Sequence, residues 1–128
     1  MNYRLLIAED DLLTLQILER SLKHPDVEIV TAPDGLAALQ SLHKQSCHLL
    51  LTDLYMPGLN GVELTRNLRA APQFNRLIIG LVTFETDNAI LHEAKLAGVD
   101  FTIEKPLDLA TLSTFVWRRL MGNRAVVS

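Results

Sequence analysis

The chain has 128 residues, 48% of them hydrophobic and 21% charged, with a formal net charge of −3. That is a single-domain length with enough apolar material for a core, and without a basic block nucleic acid is not an expected direct partner. The single cysteine, Cys47, excludes an internal disulfide and a cysteine-based zinc site.

The opening MNYRLLIAEDD carries an apolar run too short for a signal peptide or a membrane span, so no membrane partner and a cytoplasmic location are expected. Short apolar runs then alternate with longer helical patterns. Leu5–Ala8 reads as the first strand and Leu12–Lys23 as the first helix. Glu28–Ala32 and Leu36–Lys44 form the second pair, with Asp34 placed to cap the helix. Cys47, between that helix and the next strand, reads as a buried thiol. Leu49–Thr52 leads through a loop bracketed by Gly58 and Gly61 into Val62–Ala71. Leu77–Val82 and Asp87–Ala97 follow, with Pro72 and Gly98 as breakers after the third and fourth helices. Phe101–Ile103 and Leu109–Met121 end the series, the last helix capped by Asp108. Several strand runs are apolar without alternation, as expected for strands covered on both faces. Five strands alternating with five helices predict an α/β fold, a single parallel sheet flanked by helices.

The polar residues gather at one end of this scheme. Glu9, Asp10 and Asp11 follow the first strand, Asp53 ends the third, Thr83 ends the fourth and Lys105 ends the fifth. Ligands of open parallel sheets bind outside the carboxyl ends of the strands. If strands one and three are neighbours, Glu9, Asp10 and Asp53 converge and repel one another, which a hard divalent cation relieves. Lys105 adds a point charge suited to phosphate oxygens, and Thr83 a short hydroxyl donor. A carboxylate inside such a site can act as a nucleophile and form an aspartyl phosphate. Taken singly, an acidic run before a helix is an N-cap, a strand-end Asp a turn former and a Lys-Pro pair a surface feature. It is the constellation that points to phosphoryl chemistry.

At these residues the sequence resembles the receiver domain of two-component response regulators. The resemblance covers residues 3–121 and rests on LLIAEDD, LLLTDLYMPGLNG, LVT and AGVDFTIEKP, the second being the most specific. It implies a flavodoxin-like (βα)5 fold with strand order 2-1-3-4-5, an order documented for such sheets. It also implies a cytoplasmic phosphorylation switch rather than an enzyme with a turned-over substrate. Asp53 matches the phosphoacceptor, which takes a phosphoryl group from a phosphohistidine on a sensor kinase or phosphotransfer protein. Self-phosphorylation and autodephosphorylation would depend on Mg2+, with Mn2+ as a substitute. Glu9, Asp10, Asp53 and the backbone carbonyl of Tyr55 match the metal ligands. Thr83 and Lys105 match the groups that contact the phosphoryl group, and Pro106 matches a position often preceded by a cis peptide bond.

Two positions depart from the pattern. Phe84 stands where a small residue usually follows the switch threonine, so its ring either shields the site or packs beneath the fourth helix. Thr102 stands where an aromatic usually turns inward, and Phe101, one residue earlier, faces the other side of the strand. Output is therefore expected to depend on Thr83 and the following loop, or on an altered surface around Phe101. Tyr55 and Glu85 occupy positions that influence hydrolysis in the family.

Residues 1–121 read as the receiver and 122–128 as a short tail without an output domain. The downstream target or output domain would then act in trans, or be missing from this chain. On the first helix Leu15, Leu18 and Leu22 share one face and leave Leu13 and Ile17 on another, near the area where family members meet their phosphodonor. On the last helix Leu109, Leu112, Val116 and Leu120 make the core stripe. Phe115 and Trp117 fall off that stripe, either exposed as an interface or tucked against neighbours. A homodimer through the fourth helix, fifth strand and fifth helix is a further expectation. A dehalogenase-type phosphohydrolase is disfavoured by Tyr55, where it needs a second Asp. A nucleotide binder is disfavoured by the lack of a glycine-rich loop. A phosphorylation-independent interaction module remains the alternative.

Overall fold

The computed structural model describes residues 2–122. Five strands, β1 (Tyr3–Ala8), β2 (Val27–Ala32), β3 (Leu49–Asp53), β4 (Ile78–Thr83) and β5 (Phe101–Glu104), pair in parallel in the order β2-β1-β3-β4-β5. The helices between and after them are α1 (Leu12–Ser21), α2 (Gly35–Lys44), α3 (Gly61–Arg69), α4 (Asn88–Ala97) and α5 (Leu109–Met121). A short 3₁₀ turn, Pro72–Phe74, separates α3 from β4.

The three central strands, β1, β3 and β4, are largely buried on both faces, which explains their unbroken apolar runs. Leu6, Ala8, Leu50, Ile79 and Leu81 pack into one core with Ala38 and Leu42 of α2, Leu64 and Leu68 of α3 and Ala94 of α4. Leu5, Ile7, Leu49, Leu51 and Val82 join the opposite core with Leu18, Leu112, Val116 and Leu120 of α1 and α5. Helix starts are set locally. Asp11, Asp34, Asp87 and Asp108 each accept a backbone N–H inside the first turn of the following helix. Asn60 and Glu63 form a reciprocal capping box on α3. Gly98 ends α4 in the left-handed region, φ +117°.

The α1 faces separate as expected: Leu18 and Leu22 are buried, whereas Leu13 and Ile17 are exposed. One detail of α5 corrects the sequence reading, and two decide between the alternatives it left open for Phe115 and Trp117. Leu109 does not belong to the core stripe, because it is 41% exposed at the first turn, beyond the reach of the sheet. Phe115 is half-buried against Phe101, ring centroids 5.0 Å apart, so it is no free interface aromatic. Trp117 donates its Nε1–H to the carbonyl of Leu22 at 3.2 Å and meets His24 edge-on. The indole is thus tied to the end of α1. Cys47 is half-buried, and burial pushes its thiol up to about 11. Of the C-terminal tail, residues 123–128 lie outside the described residues.

Gly61 and Gly80 are among the glycines where another part of the chain approaches too closely for a side chain. A Cβ at Gly61 would stand 2.4 Å from the carbonyl oxygen of Asp53, since α3 begins directly on the end of β3. A Cβ at Gly80 would meet the Phe101 ring at 2.2 Å. Gly61→Ala should lower stability by about 1–3 kcal/mol through overpacking against fixed backbone. Gly58→Ala, strained only by φ +75° with open space around it, should cost roughly 1 kcal/mol. Urea unfolding of both variants checks the order, and a costlier Gly58 substitution would contradict the packing argument.

Candidate functional site

The site follows from strand register. Ala8 pairs with Thr52, and Asp53 pairs with Val82, so the residues leaving β1 and β3 emerge side by side. The order of the sheet reverses at β1, which has β2 on one side and β3 on the other, and a crevice opens there. Glu9 and Asp10 leave β1 into this crevice, and Asp53 closes β3.

Carboxylate oxygens of Glu9, Asp10 and Asp53 lie within 4.8 Å of one another. Their environments differ: Glu9 is buried, Asp53 half-buried and Asp10 exposed. Lys105 arrives from the end of β5, its backbone N–H donating to the carbonyl of Thr83 at 2.9 Å. Its Nζ stands 2.9 Å from Glu9 Oε1 and 3.1 Å from Asp53 Oδ2, with the side chain only 9% exposed. Asp53 Oδ1 also accepts the backbone N–H of Leu54 at 2.7 Å. Glu9 Oε2 accepts from Asp11 N–H at 3.2 Å.

Burial pushes the Glu9 carboxyl above its ordinary value, against the hydrogen bond from Lys105. Burial also opposes the charge on Lys105, but the hydrogen bond to Glu9 and the nearby Asp53 outweigh it and raise its pKa. Three carboxylates face one ammonium, so the cluster carries surplus negative charge. Convergent oxygen donors with that surplus fit a hard divalent cation such as magnesium.

Thr83 is fully buried, and its Oγ1 accepts the N–H of Glu85 at 3.1 Å. Glu85 is a junction: its Oε2 accepts from Thr86 and Asp87 N–H at 3.0 and 3.1 Å, and its Oε1 accepts the Tyr55 hydroxyl. That bond holds Tyr55 above and Glu85 below their ordinary pKa values. It also ties the loop after β3 to the loop after β4. Phe84 is 70% exposed and does not pack beneath α4; its ring centroid lies 5.5 Å from Lys105 Nζ. Thr102 is exposed, and Phe101 is buried on the α1–α5 side. The Lys105–Pro106 peptide bond is cis.

The sequence reading missed two contacts, the direct Lys105–Glu9 pair and the Tyr55–Glu85 bridge. Neither has a sequence signal of its own, because both join residues from separate crossovers. The first is 96 positions apart and the second 30.

The parallel 2-1-3-4-5 sheet, with its acid cluster and lysine at the carboxyl edge, is a flavodoxin-like fold with a charged site at the switch point of its strand order. The profile of the response regulator receiver domain matches residues 5–116, and the chain belongs to that family. Chemotaxis protein CheY-3 of Vibrio cholerae is 34% identical over 112 residues, covering 87% of this chain and 86% of that protein. Stress response regulator protein 1 of Candida albicans is 33% identical over 109 residues, 84% of this chain. The chain spans about two fifths of the length of such stress regulators. The crystallised chemotaxis protein CheY4 of V. cholerae superposes with a TM-score of 0.86 at 27% identity, covering 94% of this chain and all of that one. Receiver domains of this family work in two-component signalling with histidine kinases or phosphotransfer proteins. Among the described residues no helix is long and apolar enough to cross a membrane.

The raised Glu9 pKa has a consequence for folding without a metal. A carboxyl whose folded pKa exceeds its unfolded value, here 4.5, favours folding most below that value and loses the benefit as pH rises through the folded pKa. Glu9→Gln removes this penalty. In chelator, urea unfolding should show the variant gaining on the wild type as pH rises above 4.5, until the folded carboxyl has fully titrated. Saturating Mg2+ should reverse the order by stabilising the wild type. A variant that is less stable in chelator at neutral pH would mean that the Lys105 pair outweighs the burial of charge.

Proposed function

We propose that this domain accepts a phosphoryl group on Asp53 from a phosphohistidine of a sensor kinase or phosphotransfer protein, and that the modification switches its contacts with other proteins. The observation that carries this reading is the seat of Lys105 Nζ between Glu9 and Asp53, beside three converging carboxylates.

In this reading one Asp53 oxygen attacks phosphorus as the donor N–P bond breaks. Bound Mg2+, held by Glu9, Asp10, Asp53 and the Tyr55 carbonyl, would neutralise charge on the phosphoryl oxygens; Mn2+ has suitable chemistry as a substitute. The chain's own groups do the rest by position and charge. Leu54 N–H and Lys105 hold the Asp53 carboxylate in one orientation at the end of a rigid strand. Lys105 can exchange its carboxylate partner for a phosphoryl oxygen with little movement. Thr83 Oγ1 accepts from Glu85 and keeps its own proton to donate. Tyr55 and Glu85, joined across the mouth, restrict the approach of water and so bear on the hydrolysis that resets the switch.

Residues 1–121 form the receiver unit, and the output partner acts in trans or belongs to sequence outside this chain. A cytoplasmic setting suits the kinase-linked role. Homodimerisation through the surface of α4, β5 and α5, where Leu96 on α4 is exposed, is a further element of the proposal. A phosphorylation-independent interaction module is the competing reading, favoured only by exposed Thr102 and Phe84.

Incubation with acetyl phosphate in Mg2+, read by intact-protein mass spectrometry, should add one phosphoryl group to the native protein. Asp53→Asn should abolish the adduct, and chelator should suppress it by at least an order of magnitude. Equal labelling of native and Asp53→Asn protein would remove Asp53 from the role. No labelling of either would favour the interaction module.

A further inference from the structure

Phe84 raises a separate question. A ring that is 70% exposed gains little from folding, yet it stands directly over the most important cation of the site. It forms one wall of a notch of about 280 Å³ that also includes Thr14, Ile17, Pro106 and Leu109, with Lys105 at its polar end. Ile17 and Leu109 are themselves exposed apolar residues, and the same two line a wider groove of about 520 Å³ between α1 and α5. The other flank of the site has different chemistry. There a second concavity is lined by Asp10, Tyr55, Met56, Pro57, Gly58 and Asn60. The acid that faces it, Asp10, belongs to the cation-binding cluster. The crevice therefore has a cation-facing flank and an apolar, aromatic flank, with Asp53 and Lys105 between them.

We infer that Phe84 is a specificity-determining residue for the phosphodonor. Its ring and the adjoining notch receive a flat aromatic leaving group, the imidazole of a phosphohistidine, in preference to an aliphatic acyl group. The inference rests on the reading of Asp53 as the phosphoacceptor. A donor whose phosphoryl oxygens meet Lys105 has its leaving group within reach of a ring 5.5 Å from that amine. An imidazole offers Phe84 an aromatic face to stack on, and the positive charge that the protonated donor ring carries before the N–P bond breaks falls where the Phe84 ring attracts cations. Acetate offers a single methyl group and a negative charge, which the ring face does not favour.

The step balances without any further reactant. The N–P bond of the donor, protonated on its other ring nitrogen, breaks as an Asp53 oxygen–phosphorus bond forms. The electron pair of the broken bond stays on nitrogen, and the ring departs as neutral imidazole. No group is oxidised or reduced.

The test uses the full chain in Mg2+ with two small donors, monophosphoimidazole and acetyl phosphate, and reads the ratio of their second-order labelling constants. The ratio cancels effects common to both donors, such as altered cation binding. One stacking contact corresponds to about a three- to ten-fold preference. Phe84→Tyr should keep the ratio of the wild type. Phe84→Ala and Phe84→Leu should lower it by that factor, the leucine variant retaining bulk without an aromatic face. A ratio that stays constant in Phe84→Ala would overturn the inference and leave the ring as a plain shield. Full retention in Phe84→Leu would overturn the aromatic argument. Failure of both donors to label the wild type, or labelling that survives Asp53→Asn, would bring down the phosphoacceptor reading itself and is distinguishable from both, whereas failure of monophosphoimidazole alone would overturn the inference.

Discussion

Lys105 Nζ sits between Glu9 Oε1 and Asp53 Oδ2, almost out of contact with solvent, and the rest of the site is arranged around that position. Glu9 is 2% exposed, so its charge and that of the lysine have lost most of their hydration. Such a pair persists only where geometry is enforced by surrounding structure. Here the enforcement is the sheet. Lys105 belongs to the end of β5, yet it must reach residues on β1 and β3. With β4 between β3 and β5, two strand spacings, roughly 10 Å, separate the backbones, and the lysine and carboxylate side chains close that gap from both sides. The backbone bond from Lys105 N–H to the Thr83 carbonyl fixes where that reach begins. Thr83, at the end of β4 between the strands that carry Asp53 and Lys105, is fully buried.

Much of this was legible in the amino-acid order. Runs such as LLIA and LLLT, apolar on both faces, announce strands that must be covered twice, and the structure divides their side chains between two cores. Caps at Asp34 and Asp108 are local, so short-range reasoning finds them. Convergence of the acids depends only on β1 and β3 being neighbours, which the resemblance supplied and the register provides. What could not be read was contact between side chains delivered by different crossovers. Phe115 illustrates this: helical periodicity places it off the stripe, but whether it is exposed depends on Phe101 from another strand. Leu109 fails the opposite way, since its periodicity is right and the helix simply begins beyond the edge of the sheet.

The exchange of aromatic and threonine at positions 101 and 102 has its own packing logic. Phe101 turns toward α5 and fills the space over Gly80, where a Cβ would collide with its ring. Phe115 meets it edge-on, and the Arg119 guanidinium covers both rings, 5.4 Å from Phe101 and 4.6 Å from Phe115. Flanked by two partners and seated on a glycine, this ring has no room to swing toward the site. Thr102, on the opposite side of the strand, offers only a small exposed side chain. In the proposed switch, a signal leaving the crevice along β5 would travel without a rotating aromatic.

The alternative route begins at Glu85. Its N–H reaches Thr83 Oγ1, its carboxylate takes the N–H groups of Thr86 and Asp87 and the hydroxyl of Tyr55, and Asp87 in turn caps α4. One residue thus links the buried hydroxyl, the loop following Asp53 and the start of a helix. A phosphoryl group on Asp53 would attract the Thr83 hydroxyl and set new negative charge near the Glu85 carboxylate. Both effects weaken the same junction, the first by drawing away its acceptor and the second by repulsion. Because Glu85 accepts the N–H of Asp87, which caps α4, loosening the junction in the proposed switch would release that helix end. In this chain the loop after β4 can carry the change that a moving ring carries elsewhere, with Thr83 and Glu85 as its two contacts.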